Sequence, residues 1–228
     1  MTGKEDRQRR AHELLDHEDK VTIKPPLLMY DHDSGERHWD PVRAAYVTRI
    51  APGRFVLARG AEAVVTRVGV GMCVCARDPD AGIGGLAHFI LPAGCDTDNQ
   101  WDGTAVSAMM RYGNVAMEYL VTAVCKAGGE RHRIELMIFG GARLGGHPHE
   151  VADRHIRFIQ TYAEAEKMAI VNQDIGDDYA REVAVYPGVG TAQVSTLTHT
   201  AAEAILADEI DHMNAIESAS RSGEVILF

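Results

Sequence analysis

No stretch of the sequence approaches the roughly 18 consecutive apolar residues that a membrane-spanning helix needs, although 46% of the chain is hydrophobic. Met1 to Lys20 are rich in charge and lack the apolar core of a signal peptide, so a cytoplasmic location is expected. Cysteine is scarce. The four present are irregularly spaced and, without a secretion signal, read as free thiols rather than as a disulfide framework. Positive charge is also short: 23 Lys and Arg stand against 33 Asp and Glu, a formal charge of -10. That balance opposes tight non-specific binding to nucleic acid or anionic lipid, so neither a nucleic-acid partner nor direct membrane insertion is expected. Internal repeats and low-complexity tracts are missing. Gly69-Val70-Gly71 is no dinucleotide fingerprint, because a helix does not follow it, and Gly140-Gly141 lacks the Lys and Ser/Thr of a phosphate loop. Both read as turns or close backbone packing. What remains is an acidic globular chain of 228 residues, ample for one compact domain with polar or helical ends.

Within that chain the hydrophobic period changes twice. Residues 1–43 are polar, with Pro25-Pro26 and a charged run from Asp31 to Asp40, and read as a mobile arm. Ala45–Ile50 and Arg54–Arg59 read as strands joined into a hairpin by the Pro52-Gly53 turn. Ala63–Val70 and Met72–Arg77 are further strands, and the turn Asp78-Pro79-Asp80-Ala81-Gly82 leads to another at Ile83–Leu91. From Val106 the apolar residues recur at helical spacing, predicting a helix of about six turns that ends at Gly128-Gly129. Arg133–Phe139 is a strand and Ala152–Glu166 a helix with Ile156, Ile159 and Ala163 on one face. Strands follow at Ile170–Gln173, Arg181–Tyr186 and Ala192–Leu197. Thr200-Ala-Ala-Glu203 has the form of a capping box, opening a helix with a stripe of Ala202, Leu206, Ile210 and Met213; Ser218 to Gly223 then breaks the period as a hinge before an apolar end, Val225 to Phe228. The order predicts an α+β domain in which mixed sheets and helices form a layered sandwich. The divisions are an arm at 1–43, a domain at 44–197, and a helix with an apolar tail at 198–228.

Chemistry-bearing residues concentrate in the β-rich block. Cys73 and Cys75 alternate with Val74, so both thiols face one side of a sheet. His88 lies in the next strand, and antiparallel pairing across the 78–82 turn brings it toward the cysteine strand. A thiol needs a base or a cation to become a good nucleophile at neutral pH, and a neighbouring histidine meets that need. The competing reading is that the cysteines fill space, as buried cysteines commonly do. A metal site built from Cys73, Cys75, His88 and Cys95 is a further reading, weakened because a C-x-C pair here has no second tight pair. His147-Pro148-His149 stands alone in a Gly-rich loop and reads as solvated. No cofactor is implied.

Several segments resemble the motifs of the CheD family in that family's order. They are IAPGRFVLA (Ile50 to Ala58), GIGGLAHFILP (Gly82 to Pro92), RYGNVAMEYLVTAVCKAGG (Arg111 to Gly129) and IELMIFGGA (Ile134 to Ala142). DRHIRFI (Asp153 to Ile159), QDIGDDYAREVAVYPGVGTAQV (Gln173 to Val194) and the terminal SGEVILF (Ser222 to Phe228) continue the series. The resemblance implies a cysteine-dependent hydrolase that converts glutamines to glutamates on the cytoplasmic helical region of chemoreceptors. It also implies a mixed sheet flanked by helices, similar to toxin-type deamidases, and in some members binding to a CheC-type phosphatase.

The resemblance further implies a Cys, a His and a Thr in the site. His88 in LAHFILP matches the histidine, and Thr66 in VVTRVG matches the threonine. The cysteine carries over less simply. The family's Gly-Ser-Cys falls on Gly69, Val70 and Gly71 in a gapless alignment, which puts Gly71 at the nucleophile position; aligning Gly71-Met72-Cys73 instead restores a cysteine at the cost of length changes. Cys73 lies two residues past Gly71, facing the same side about 7 Å further along an extended strand. A bulge at Gly69–Gly71 would absorb part of that shift. The expected site is therefore Cys73, His88 and Thr66. The rival is a family member that keeps the fold but acts by binding receptors or a CheC-type phosphatase.

Overall fold

A computed structural model describes residues 37–90, 113–145 and 149–222. Among these residues ten strands form two five-stranded sheets. The first runs in the order β1 (His38–Asp40), β2 (Ala45–Arg49), β4 (Ala63–Val68), β9 (Arg181–Tyr186), β10 (Thr191–Thr196). The second runs β3 (Arg54–Arg59), β6 (Ile83–Phe89), β5 (Met72–Asp78), β7 (Glu135–Gly140), β8 (Ala169–Ile175). Among the described residues three α-helices accompany them: α1 (Gly113–Lys126), α2 (His149–Ala165) and α3 (His199–Ser222). Each sheet mixes parallel and antiparallel pairs, since β2 runs parallel to β4 and β7 parallel to β8, with α2 as the β7–β8 crossover. This is the α+β arrangement of mixed, layered sheets expected from the sequence. No helix among the described residues is long and apolar enough to cross a membrane.

Alternation along β5 and β6 sorts the side chains into two cores. Val74, Ala76, Ala87 and Phe89 face α1 and α2, meeting Ala116, Met117, Leu120, Val121 and Ile159. Cys73, Cys75 and Leu86 point the other way, into the space between the sheets, against Val64 and Val68 of β4 and Val183 and Val185 of β9. α1 closes as its glycines require, with the Gly128 and Gly129 N–H groups donating to the carbonyls of Cys125 and Val124 at 3.0 Å each. The β5–β6 turn is held by the buried Asp78 carboxylate. It accepts N–H bonds from Asp80 (3.0 Å), Ala81 (3.1 Å) and Glu130 (2.8 Å) and pairs with Arg133, whose guanidinium holds the carboxyl well below the usual range.

The chain departs from the sequence expectations at four places. β2 and β3 are not a hairpin: they belong to different sheets, and the chain passes from one to the other at Pro52-Gly53. The Gly53 N–H donates to the His88 carbonyl at 2.7 Å, which commits the following residues to β6. His38–Asp40, within the expected arm, pairs with β2, and Arg43 ties that edge to Asp40 and Glu182. α3 is capped by Thr198 rather than Thr200, through Ala201 N–H to Thr198 Oγ1 (3.4 Å) and Ala202 N–H to Thr198 O (2.9 Å). The helix also runs through Ser218 to Ser222, where a hinge was expected. The part of the first expected helix before Gly113, Cys95, His147 and the apolar end Val225 to Phe228 all lie outside the described residues.

Candidate active site

Thr66 and His88 come from different sheets and meet between them. Thr66 sits on β4 at the spacing of Val64 and Val68, which puts its side chain on the inter-sheet face. His88 occupies the inner strand β6, flanked by Arg54 of β3 on one side and Cys73 of β5 on the other. Both are buried, at 3% and 0% exposure. The Thr66 hydroxyl donates to the Ile50 carbonyl at 2.9 Å, and its oxygen lies 2.9 Å from His88 Nδ1. With its one hydrogen directed at Ile50, the hydroxyl can only accept from the imidazole, so Nδ1 carries the hydrogen. Nε2 is then the nitrogen free to take up a proton, and among the described residues it has no hydrogen-bond partner.

Facing Nε2 at 3.7 Å is Glu209 Oε1, from α3. Nothing in the sequence reading singled out this glutamate, yet it is 2% exposed. Its carboxylate accepts the N–H groups of Gly69 (3.0 Å), Val70 (2.9 Å) and Gly71 (3.3 Å). These three successive amides form an anion cradle between β4 and β5. Burial alone would push Glu209 up, but His88 with a proton on Nε2, together with the Gly69 and Gly71 amides, outweighs it and holds the carboxyl below its ordinary value. The cradle is itself pinned from behind. Gly141 N–H donates to Gly71 O and Ala142 N–H to Gly69 O, both at 2.8 Å. Gly140 allows this approach, because its φ is 114° and a Cβ there would collide with the Gly71 carbonyl.

Gly71 sits against the Glu209 carboxylate. A Cβ placed on it would stand 3.0 Å from Glu209 Oε1 and 2.9 Å from Phe89 O. Gly71 does not have a positive φ. No strand bulge moves Cys73 toward it, since 69–71 is the link between sheets and β5 pairs with β6 in unbroken register from Met72. Cys73 is the direct cross-strand partner of His88, as the expected hairpin pairing requires. Its thiol is fully buried in the inter-sheet core, and burial pushes it well above its ordinary pKa while Arg181 pulls the other way. Cys75 lies deeper along the same face. Among the described residues no group of three or more metal-ligating side chains gathers. His155, from α2, is also buried near Phe89, and burial lowers its pKa.

Access to this centre lies along α3. A groove of about 570 Å³ runs between the helix and the first sheet, with Thr66 on its floor, Arg49 and Arg67 at its side, and Ile205 and Glu209 projecting from α3. Behind Glu209 a smaller cavity of about 30 Å³ is closed by Val70, Ile90, Val151, Leu206 and Met213. The helix thus lies across the mouth of the site.

A family model described as CheD chemotactic sensory transduction matches residues 91–196. The chain is 35% identical over 208 residues to a probable chemoreceptor glutamine deamidase CheD of Halorhodospira halophila, covering 91% of this chain and 95% of the relative. A protein of the same name from Hydrogenovibrio crunogenus is 36% identical over 83% of this chain and 97% of its own length. One from Vibrio cholerae is 32% identical over 90% of this chain and 85% of its own.

Proposed function

The chain belongs to the CheD family of chemoreceptor glutamine deamidases, and from that premise we propose that Cys73, His88 and Thr66 hydrolyse glutamine side-chain amides on chemoreceptors. Its function is chemoreceptor glutamine deamidation in chemotaxis. The observation that carries the residue assignment is the Thr66–His88 bond, which turns an unpaired imidazole nitrogen toward the amide cradle.

In this reading His88 Nε2 takes the proton of the Cys73 thiol, and the sulfur attacks the amide carbon of the glutamine. The cradle amides stabilise the oxyanion that forms. Collapse breaks the C–N bond, the proton on His88 passes to the leaving nitrogen, and ammonia departs. Water, deprotonated by the same nitrogen, then cleaves the thioester to release glutamate and restore the thiol. Thr66 holds the imidazole in the tautomer this sequence of transfers needs. Cys73 is supported by its register opposite His88.

Ammonia release from receptor cytoplasmic fragments, with conversion of glutamine to glutamate by mass spectrometry, tests the assignment. Cys73→Ala and His88→Ala should each abolish turnover, and Thr66→Val should lower kcat without abolishing it. Activity surviving in Cys73→Ala removes that residue from the site. A second reading rests on the deep burial of the Cys73 thiol: a member that binds receptors or a CheC-type phosphatase without hydrolysis. An inactive wild type that still captures receptor fragments would favour it.

A further inference from the structure

Glu209 has the contacts of a bound ligand and no part in the reaction as drawn. It projects from α3 with Leu206 one turn before it and Met213 one turn after, and all three line the same small cavity. Its carboxylate fills the cradle of the Gly69, Val70 and Gly71 amides. It also stands 3.7 Å from a fully buried imidazole nitrogen that has no hydrogen-bond partner among the described residues. A glutamate carried by a helix into an amide cradle beside a general base is what glutamine hydrolysis on a helix would leave behind.

We propose that α3 rests in this cradle as a built-in product mimic, with Glu209 standing where the substrate's glutamine side chain goes and Leu206 and Met213 where apolar side chains about one turn to either side of that glutamine go. The inference rests on the deamidase reading above and specifies how its substrate is recognised. The chemistry of the cradle gives a glutamine one orientation. A carbonyl oxygen at the Oε2 position of Glu209 accepts from the Val70 and Gly71 N–H groups, which leaves the amide nitrogen at the Oε1 position, toward His88 Nε2. The oxygen that becomes an oxyanion then lies on the donors, and the nitrogen that departs lies at the group that protonates it. In Glu209 itself Oε1 takes the place of that nitrogen, 3.7 Å from His88 Nε2, and it also accepts the Gly69 and Gly71 N–H groups. Leu206 and Met213 mark where the substrate helix would set its own apolar side chains.

The experiment uses the full chain and a synthetic peptide of residues 199–222. Wild type should bind the peptide poorly, because its own α3 fills the subsite. Glu209→Ala should bind it at least about tenfold more tightly, since a subsite occupied nine-tenths of the time lowers apparent affinity by that factor. A peptide carrying Glu209→Ala should not bind either protein. If the Glu209→Ala chain does not fold, the Leu206→Ala and Met213→Ala pair, which loosens α3 on either side of Glu209, replaces it in the binding assay. Glu209→Gln also has its own readout. The full chain should convert itself, replacing NH2 by OH in the intact mass, and His88→Ala in the same chain should stop the conversion. Equal peptide affinity in folded wild type and Glu209→Ala, together with receptor deamidation by the wild type, overturns the subsite and leaves the deamidase reading standing. Tighter peptide binding by Glu209→Ala with no ammonia from any variant supports the subsite and overturns the deamidase reading.

Discussion

Gly71→Cys places a thiol at the position the gapless alignment gives to the family nucleophile, and the structure sets its cost. The new Cβ would lie 2.9 Å from Phe89 O, 3.0 Å from Glu209 Oε1 and 3.2 Å from Ile90 Cγ2. Because Gly71 does not have a positive φ, no backbone strain adds to these contacts. Overpacking of this kind costs about 1–3 kcal/mol, and a chain of this size loses roughly 2–4 °C of Tm for each kcal/mol. Pairing the substitution with Glu209→Ala removes one of the three contacts and vacates the space in front of His88 Nε2. In that double variant the thiol faces an imidazole that Thr66 has already oriented. With Cys73→Ala added both to this chain and to Glu209→Ala, so that position 71 supplies the thiol the base acts on, ammonia release from receptor fragments should exceed that of the Glu209→Ala chain by at least about 100-fold, since a positioned base contributes about 10²–10⁴-fold. Circular dichroism and a melting curve confirm folding before the comparison is made. A folded Gly71→Cys chain that releases ammonia no faster than the Glu209→Ala chain in that comparison would refute the placement of the nucleophile at position 71.

Two further outcomes follow from the packing and the charges. Gly85→Ala should lower Tm by several degrees, since its Cβ would lie 2.6 Å from Val56 O and 2.9 Å from Leu120 Cδ1 and overpacking costs about 1–3 kcal/mol; Gly145→Ala, with nothing within 4 Å, should leave Tm unchanged or slightly higher in the same thermal scan. Glu209 faces His88 and, more remotely, His155, and its folded-state pKa lies below the ordinary 4.5. Its ionised contribution to stability is complete above that pH and is lost as pH falls through the lower, folded value. The Tm difference between wild type and Glu209→Ala should therefore shrink as acidification carries the pH below 4.5, and a difference that goes on growing there would contradict the assignment.

Much of the scaffold could be read from local pattern. Arg54–Arg59 and Arg181–Tyr186 are strands with the bounds their β-branched and alternating residues predict. The 78–82 turn correctly pairs Cys73 with His88. The β2–β3 hairpin failed because turn residues announce a reversal but not which sheet receives the next strand; that choice is made by a distant partner, the His88 carbonyl. Thr66 and His88 came from family resemblance, and spacing alone would not have joined residues from two sheets. Glu209 escaped because the α3 stripe was drawn through Ile210. The buried position is its neighbour Glu209, which continues the run of Ala202, Leu206 and Met213 at spacings of three and four. A single acid occupying a core position of an otherwise apolar stripe was the available signal, and such residues are almost never buried unless paired.

The Thr66–His88 bond crosses the largely apolar interior between the two sheets, which Arg181 of the first also ties to Asp174 of the second. It acts as a ruler laid across the sandwich. The Thr66 oxygen is fixed to Ile50 in one layer and the imidazole to the inner strand of the other, so their 2.9 Å separation reports the distance between layers. Hydrogen bonds weaken steeply outside a narrow range of length and angle. The packing of Val64, Leu86 and Val185 therefore sets the orientation of a base that none of these side chains needs to touch. Selection on the volume of that greasy interior is also selection on proton transfer, and a change in the filling is felt at the tip of the imidazole.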